Sequence, residues 1–263
     1  MRLHWAHNAH GASAEHVARA PGSPLLFLHS SAAWSHESSP LRTALGSTCG
    51  AVLAPDLLGF GRSDKPKKTH WHTLEGHRAI LADWAAHLGV CNAVCVLPLW
   101  GCALAMALLP AIQKRVAHLV LLDDPSAFSA CVQPRPPRPH GAAAEASVAW
   151  WDAPFPDPGH GAALRAPALL AAGQGLPSVD FSAGPLPFAL TVVSARDGVK
   201  QGAEAQAALA AGLGRVAGNP RRARRTKERG AAPMLSALRA DLLLEIVRSA
   251  GLAPTAALGL SAQ

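Results

Sequence analysis

Ala93-Val94-Cys95-Val96-Leu97-Pro98-Leu99-Trp100-Gly101-Cys102-Ala103-Leu104-Ala105 reads as a short apolar strand, a sharp turn and the start of an Ala/Leu-rich helix. An apolar run without polar alternation suits a strand buried on both faces of a parallel sheet. A strained strand-to-helix turn lifts the side chain at its tip above such a sheet, and in a nucleophile elbow that side chain is Ser, Cys or Asp. Here the tip is Leu99, which has neither a lone pair nor a proton to offer. The stretch therefore says more about fold than about chemistry.

Working outward, Pro24–His29 and Ala51–Ala54 are further buried-strand runs. Met1–Trp5 suits a first strand, since His-Trp followed by a glycine turn fits a hairpin. Ser39 to Leu45 is a plausible helix, and Thr73 caps a second whose apolar residues Ile80, Leu81, Trp84 and Leu88 recur at helical spacing. The elbow helix runs to about Leu109. Val116–Leu122 and Phe188–Val193 are further strands, with helices expected over about 202–213 and 234–248. Strands alternating with helices predict a doubly wound α/β fold with a mostly parallel sheet. Between Pro125 and about Pro185 the chain turns rich in Pro, Gly and Ala, which predicts an inserted, shortened cap. The domain reading is core over 1–124, cap over 125–185 and core again over 186–263.

Bulk composition narrows the class. At 263 residues, with 49% hydrophobic and 16% charged side chains, the chain can bury a real core and is not disordered throughout. Its formal charge of +7 comes mostly from Arg221–Arg229, so the rest is near neutral and a whole-surface nucleic-acid binder is disfavoured. Cys49, Cys91, Cys95, Cys102 and Cys131 form no metal-ligand spacing, and the two in the central strand-turn-helix, Cys95 and Cys102, read as buried, reduced thiols, which implies a reducing compartment. No run of 18 apolar residues occurs, and Met1–Val17 lacks the apolar core of a secretory signal. The expected location is cytoplasmic, the alternative being an organelle-transit reading of that acid-poor segment.

Four stretches now coincide. They are Phe27-Leu28-His29-Ser30 with Trp34-Ser35 after it; Ala54-Pro55-Asp56-Leu57-Leu58-Gly59-Phe60-Gly61-Arg62-Ser63-Asp64-Lys65-Pro66; Trp100-Gly101 at the elbow; and Ala153-Pro154-Phe155-Pro156-Asp157 with Arg165 beyond it. Together they resemble the α/β-hydrolase superfamily and, within it, the haloalkane dehalogenases. The resemblance covers about residues 1 to 200. It implies an elbow Asp that displaces halide and forms an ester, a His-activated water that hydrolyses it, and a second acid that orients the His. Halide is held by indole N–H groups in a dry pocket.

Carried over residue by residue, the nucleophile slot falls on Leu99 and the acid slot on Asp197, with Asp123 as an alternative acid. The triad His should lie in 230–233, yet no His follows His160. Trp100 matches a halide-binding Trp, and Ser31 falls where a backbone N–H and a halide-contacting side chain stand. Trp150 and Trp151 take no assigned role. The resemblance implies no cofactor and no metal. The expected partner is a small apolar or halogenated ligand and the expected state a monomer, with no membrane and no nucleic acid expected from the apolar pattern and the charge distribution.

The leading expectation is thus a dehalogenase-like protein without catalysis. One alternative is an active hydrolase of dehalogenase, epoxide or ester type with relocated groups, in which Asp123 or Asp197 works with a His such as His29. The other is an interaction protein using residues 221–229. His70 and His72, around Trp71, read as a solvated loop, and Pro134–Pro139 as a linker left by cap erosion.

Overall fold

The computed structural model describes residues 1–7, 22–29, 33–45, 51–98, 103–123, 152–166, 186–194, 198–201, 243–245 and 248. Seven strands form one sheet among them: β1 (Trp5–His7), β2 (Leu25–Phe27), β3 (Val52–Pro55), β4 (Ala93–Pro98), β5 (Val116–Asp123), β6 (Ala189–Ser194) and β7 (Gly198–Gln201). The order across the sheet is β1-β3-β2-β4-β5-β6-β7. The four central pairings are parallel, and the two edge pairings, β1 with β3 and β6 with β7, are antiparallel.

Why the central runs carry no polar alternation is visible in the register. Leu53, Leu26, Cys95, Leu119 and Leu190 are successive partners across five strands. All belong to the core on one face, with Leu97, Leu121 and Val192. Their neighbours Val52, Leu25, Val94, Val96 and Val120 belong to a second core on the other face. Period-two alternation thus fills two cores with one strand set. Cys95 is wholly buried, and that burial pushes its thiol far up, so it behaves as a small apolar side chain.

Helix α1 spans Ser39–Leu45 and follows a 3-10 turn at Ser35–Ser38. Helix α2 spans Leu74–His87. Its cap is the one expected, because the Thr73 side chain accepts a hydrogen bond from Gly76 N at 3.1 Å. Leu81, Trp84 and Ala85 turn inward, and Trp84 meets Trp5 edge-on at 6.2 Å, which ties β1 to the helix layer. Thr73→Ala should therefore lower stability by about 1 kcal/mol, read as a shift of the urea midpoint at unchanged slope. Helix α3, Ala103–Leu108, follows the elbow, and a short α4 spans Ala162–Arg165.

Three expectations are corrected. The first strand is Trp5–His7 rather than Met1–Trp5, and it pairs with β3 rather than forming a hairpin with the next strand. The physical reason is that residues 2–4 bond to a loop instead: Asp64 N donates to Arg2 O and His4 N to the Ser63 hydroxyl. After β6 the chain also turns back at once as β7, so the edge beside β6 is held by Gly198–Gln201. The third correction concerns His72, described below. The expected helix over 202–213, the run 221–229, the Pro134–Pro139 stretch and most of the final helix lie outside the described residues. Leu243–Glu245 is helical, and Leu243 is buried against the second core. No helix among the described residues is long and apolar enough to cross a membrane.

Candidate functional site

The best-built polar structure lies where β3 ends. Asp56 is wholly buried. Its carboxylate accepts His4 Nδ1 at 2.7 Å, Ser35 N at 2.7 Å and Arg62 N at 3.0 Å. Burial acts to raise its pKa, but the His4 side chain, the Arg62 and Ser35 amides and the nearby His29 outweigh it, so Asp56 is held below its ordinary value and stays ionised. Gly61 has φ +48°, and a Cβ there would stand 2.2–2.4 Å from the Asp56 carboxyl atoms. The glycine is what lets the loop wrap its own acid. Asp56 thus acts as a structural knot that joins residues 2–4, the start of the Ser35–Ser38 turn and the loop through Asp64.

This knot sits beside the exits of the parallel strands. His29 follows β2, and its Nε2 accepts Leu57 N at 3.0 Å. Its ring lies 5.3 Å from Phe60, whose edge meets Phe155 at 6.3 Å. Phe155 belongs to the Ala-Pro-Phe-Pro-Asp stretch, which is therefore docked on the core, with Phe155 and Leu164 packed against the first-face cluster. Lys67 Nζ reaches Asp157 at 3.6 Å, and hydrogen bonds from the His160 side chain and backbone hold Asp157 down to about 2. Ala163 closes against Gly59, where an added Cβ would stand 2.5 Å from Ala163 Cβ. Arg165 donates to Pro158 O within the same segment.

The reactive slots distribute as follows. β4 ends at Pro98, in register with Leu122 of β5, so the chain leaves the sheet with Leu99 as its next residue. Asp123 is the last residue of β5 and pairs with Ser194 at the end of β6. Asp197 falls in the 195–197 connection between β6 and β7. The exits of β4, β5 and β6 therefore share one edge of the sheet. Leu99, Trp100, Ser31 and Asp197 themselves lie outside the described residues.

The histidines bear on the relocated-base alternative. His29 has its Nε2 occupied by Leu57 N, His4 holds Asp56, and His118, in β5, shares a 2.8 Å hydrogen bond with Thr191 of β6. His72 departs from the solvated-loop reading. His70 and Trp71 are exposed, but His72 is buried, 3.2 Å through Nδ1 from His77 Nε2 and 2.9 Å through Nε2 from Pro66 O. The signal was present in the sequence, because His77, Leu81 and Trp84 fall on one helical face.

Among the described residues no group of three His, Cys, Asp or Glu is placed to hold a metal. A surface groove of about 620 Å³, lined by residues such as Ala86, Cys91, Ile112 and Arg115, belongs to the opposite edge of the sheet. Cys91 precedes β4 and Arg115 precedes β5, so the groove does not serve the strand exits.

Residues 23–152 match the model of a family described as alpha/beta hydrolase fold. A haloalkane dehalogenase of Mycolicibacterium paratuberculosis (strain ATCC BAA-968 / K-10) is 30% identical over 166 residues, covering 55% of each chain. One of Mycobacterium marinum (strain ATCC BAA-535 / M) is 30% identical over 168 residues, covering 56% of this chain and 57% of its own. The chain thus spans about half the length of the curated relatives it matches. Haloalkane dehalogenase DpaA from Paraglaciecola agarilytica NO2 is similar in structure, at 23% identity and TM-score 0.47, over 67% of this chain and 68% of that one. The matched stretch, just under half of the chain, makes this chain similar to the alpha/beta hydrolase fold over residues 23–152.

Proposed function

We propose that this chain is a dehalogenase-like protein without catalytic turnover, which keeps a site for a small apolar or halogenated molecule between the strand exits and the segment docked beside them. The observation that carries the reading is that β4 leads directly into Leu99. Displacing halide from carbon needs a nucleophile at the elbow's tip, and Leu has none. The ester that such a nucleophile forms needs a base to activate water, and residues 161–263 contain no His. Losing either group costs about six orders of magnitude in turnover, and losing both costs little more.

Two further features support the reading. The aromatic contact from Phe60 to Phe155 gives the region beside the β2 exit an apolar surface, as suits an apolar pocket. The occupied Nε2 of His29 weighs against an active enzyme that pairs it with Asp123 or Asp197. Thermal unfolding of the purified protein with a panel of short 1-haloalkanes and the matching alkanes tests the proposal. At ten times its Kd, a ligand that binds only the folded state adds about 1.4 kcal/mol of stability. The expected result is a saturable rise in Tm with at least one such compound and no halide released. A flat response across the panel would remove the binding half of the proposal, and released halide the other half.

A further inference from the structure

The segment docked beside the strand exits rests on one loop. Lys67 reaches Asp157 at 3.6 Å, and its stem lies against Gly159, where an added Cβ would stand 3.0 Å from Lys67 Cδ. The Thr69–Trp71 turn lies against α4. The His72 ring and Ala163 of α4 meet at Gly59, where an added Cβ would stand 2.8 Å from His72 Cε1 and 2.5 Å from Ala163 Cβ. Residues 66–72 are therefore the seat of the 152–166 segment.

The seat is itself pinned to α2 by two imidazoles. His72 and His77 are both buried, with ring centroids 5.4 Å apart. One hydrogen bond joins the rings at 3.2 Å, and another ties His72 to Pro66 O at 2.9 Å. These bonds use three of the four ring nitrogens, and the fourth, His77 Nδ1, is buried with no hydrogen-bond partner among the described residues. A proton added to the pair therefore finds no acceptor inside, and its charge is hydrated only when something lifts away from His77. Helix α2 is held in place by Leu81, Trp84 and Ala85, which lie in the core. The loop is the easier piece to move, because residues 67–71 all lie on the exposed side.

We propose that His72 and His77 form a proton-operated latch for the 152–166 segment: taking up a proton releases the 66–72 loop from α2, and the segment undocks with it while the sheet stays folded. Release breaks the Phe60–Phe155 contact and opens that side of the strand exits. The latch does not depend on the function proposed for those exits.

Other charges nearby do not supply the effect. They are Lys65, Lys67, Lys68 and His70 on the loop, Glu75 and Arg78 on α2, and Asp157, His160 and Arg165 on the segment. Among the described residues, none of them bonds to either imidazole, and His72 is the charge that acts on His77. Hydrogen bonds from His160 hold Asp157 down to about 2, so its pairing with Lys67 outlasts the latch as acid is added. A proton on His160 would only tighten its own bond to Asp157. Burial, and then His72, lowers His77 from 6.5 to about 4 in the closed state. Water restores the ordinary value once the loop has lifted, so opening gains as pH falls through that window and not above it. Between pH 7 and pH 5 the opening equilibrium should rise about twentyfold.

Hydrogen exchange of the full chain at pH 7 and pH 5, corrected for the chemical rate and read on peptides covering residues 155–165 and strand β4, tests the proposal. Protection of 155–165 should fall about twentyfold on acidification and stay below that of β4 at both pH values. In His77→Gln, which keeps a donor for His72, the fall should be lost. In Lys67→Gln protection should be lower at both pH values while the fall with pH remains. Unchanged protection of 155–165, or a fall that persists in His77→Gln, would overturn the proposal. So would protection equal to that of β4, since the segment would then open only with the whole chain. That last comparison uses the unaltered chain and decides the matter even where a variant does not fold.

Discussion

Asp56→Ala should lower the unfolding free energy by about 3–5 kcal/mol, a large part of the 5–15 kcal/mol that holds a typical domain. The substitution removes the acceptor of three hydrogen bonds, from His4 Nδ1, Ser35 N and Arg62 N, in a place that water does not reach. Each donor left behind bears its own desolvation cost. The loop also loses what it is wrapped around, since Gly61 takes a left-handed conformation directly over the carboxylate. Asp56→Asn should cost less, because one oxygen survives, yet its amide must face one of the same donors. Urea unfolding measures both. A loss below about 1 kcal/mol for Asp56→Ala would mean that the knot is decorative.

The second large effect is acid sensitivity from the buried imidazole pair. Pro66 O can only accept, so His72 Nε2 donates to it, and in a neutral ring His72 Nδ1 must then accept. His77 Nε2 donates to that nitrogen, which leaves His77 Nδ1 a buried lone pair with no hydrogen-bond partner among the described residues. A proton arriving there would bring an unpaired charge into the core. Burial, with a smaller contribution from His72, accordingly lowers His77 to about 4.

The unfolded chain takes up that proton below about pH 6.5, while the folded chain resists it down to about pH 4. Stability should therefore fall as pH drops through this window, by about 3 kcal/mol, and level off below it. His77→Gln keeps a donor for His72 and removes the titration, so its stability should change less between pH 7 and pH 4. Asp56 acts in a lower window: its folded pKa is depressed, and its contribution is lost only as pH falls below its ordinary carboxylate value of 3.8. An identical pH profile in His77→Gln would show that the pair is not the source.

Much of this was legible in the sequence, for physical reasons that differ by element. Strands β2 to β6 were readable because burial on both faces forbids polar residues, and such runs stand out. Helix α2 was readable because Thr73 and the Leu81–Trp84 spacing mark its start and its inner face. The two edge strands were not. β1 is short, half-buried and displaced along the chain by hydrogen bonds to a loop 60 residues away, and the β7 hairpin follows β6 with little apolar content. The polar interior was the harder part. Asp56 is buried because partners distant in the chain, His4 and Ser35, satisfy it, and no local pattern announces that, whereas His72 meets partners only five and six residues away, His77 and Pro66. At the reactive slots the sequence speaks more directly than the fold does. Leu99 is an absence of chemistry that residue identity alone states, and the structure adds that β4 leads straight into it.

Halide release from short haloalkanes by the purified chain, with Asp197→Asn as control, tests the central claim most directly. The account predicts no halide above the control, since neither a nucleophile at position 99 nor a His beyond position 160 is available. Sustained release that Asp197→Asn abolishes would contradict it and would place an active nucleophile beside that acid.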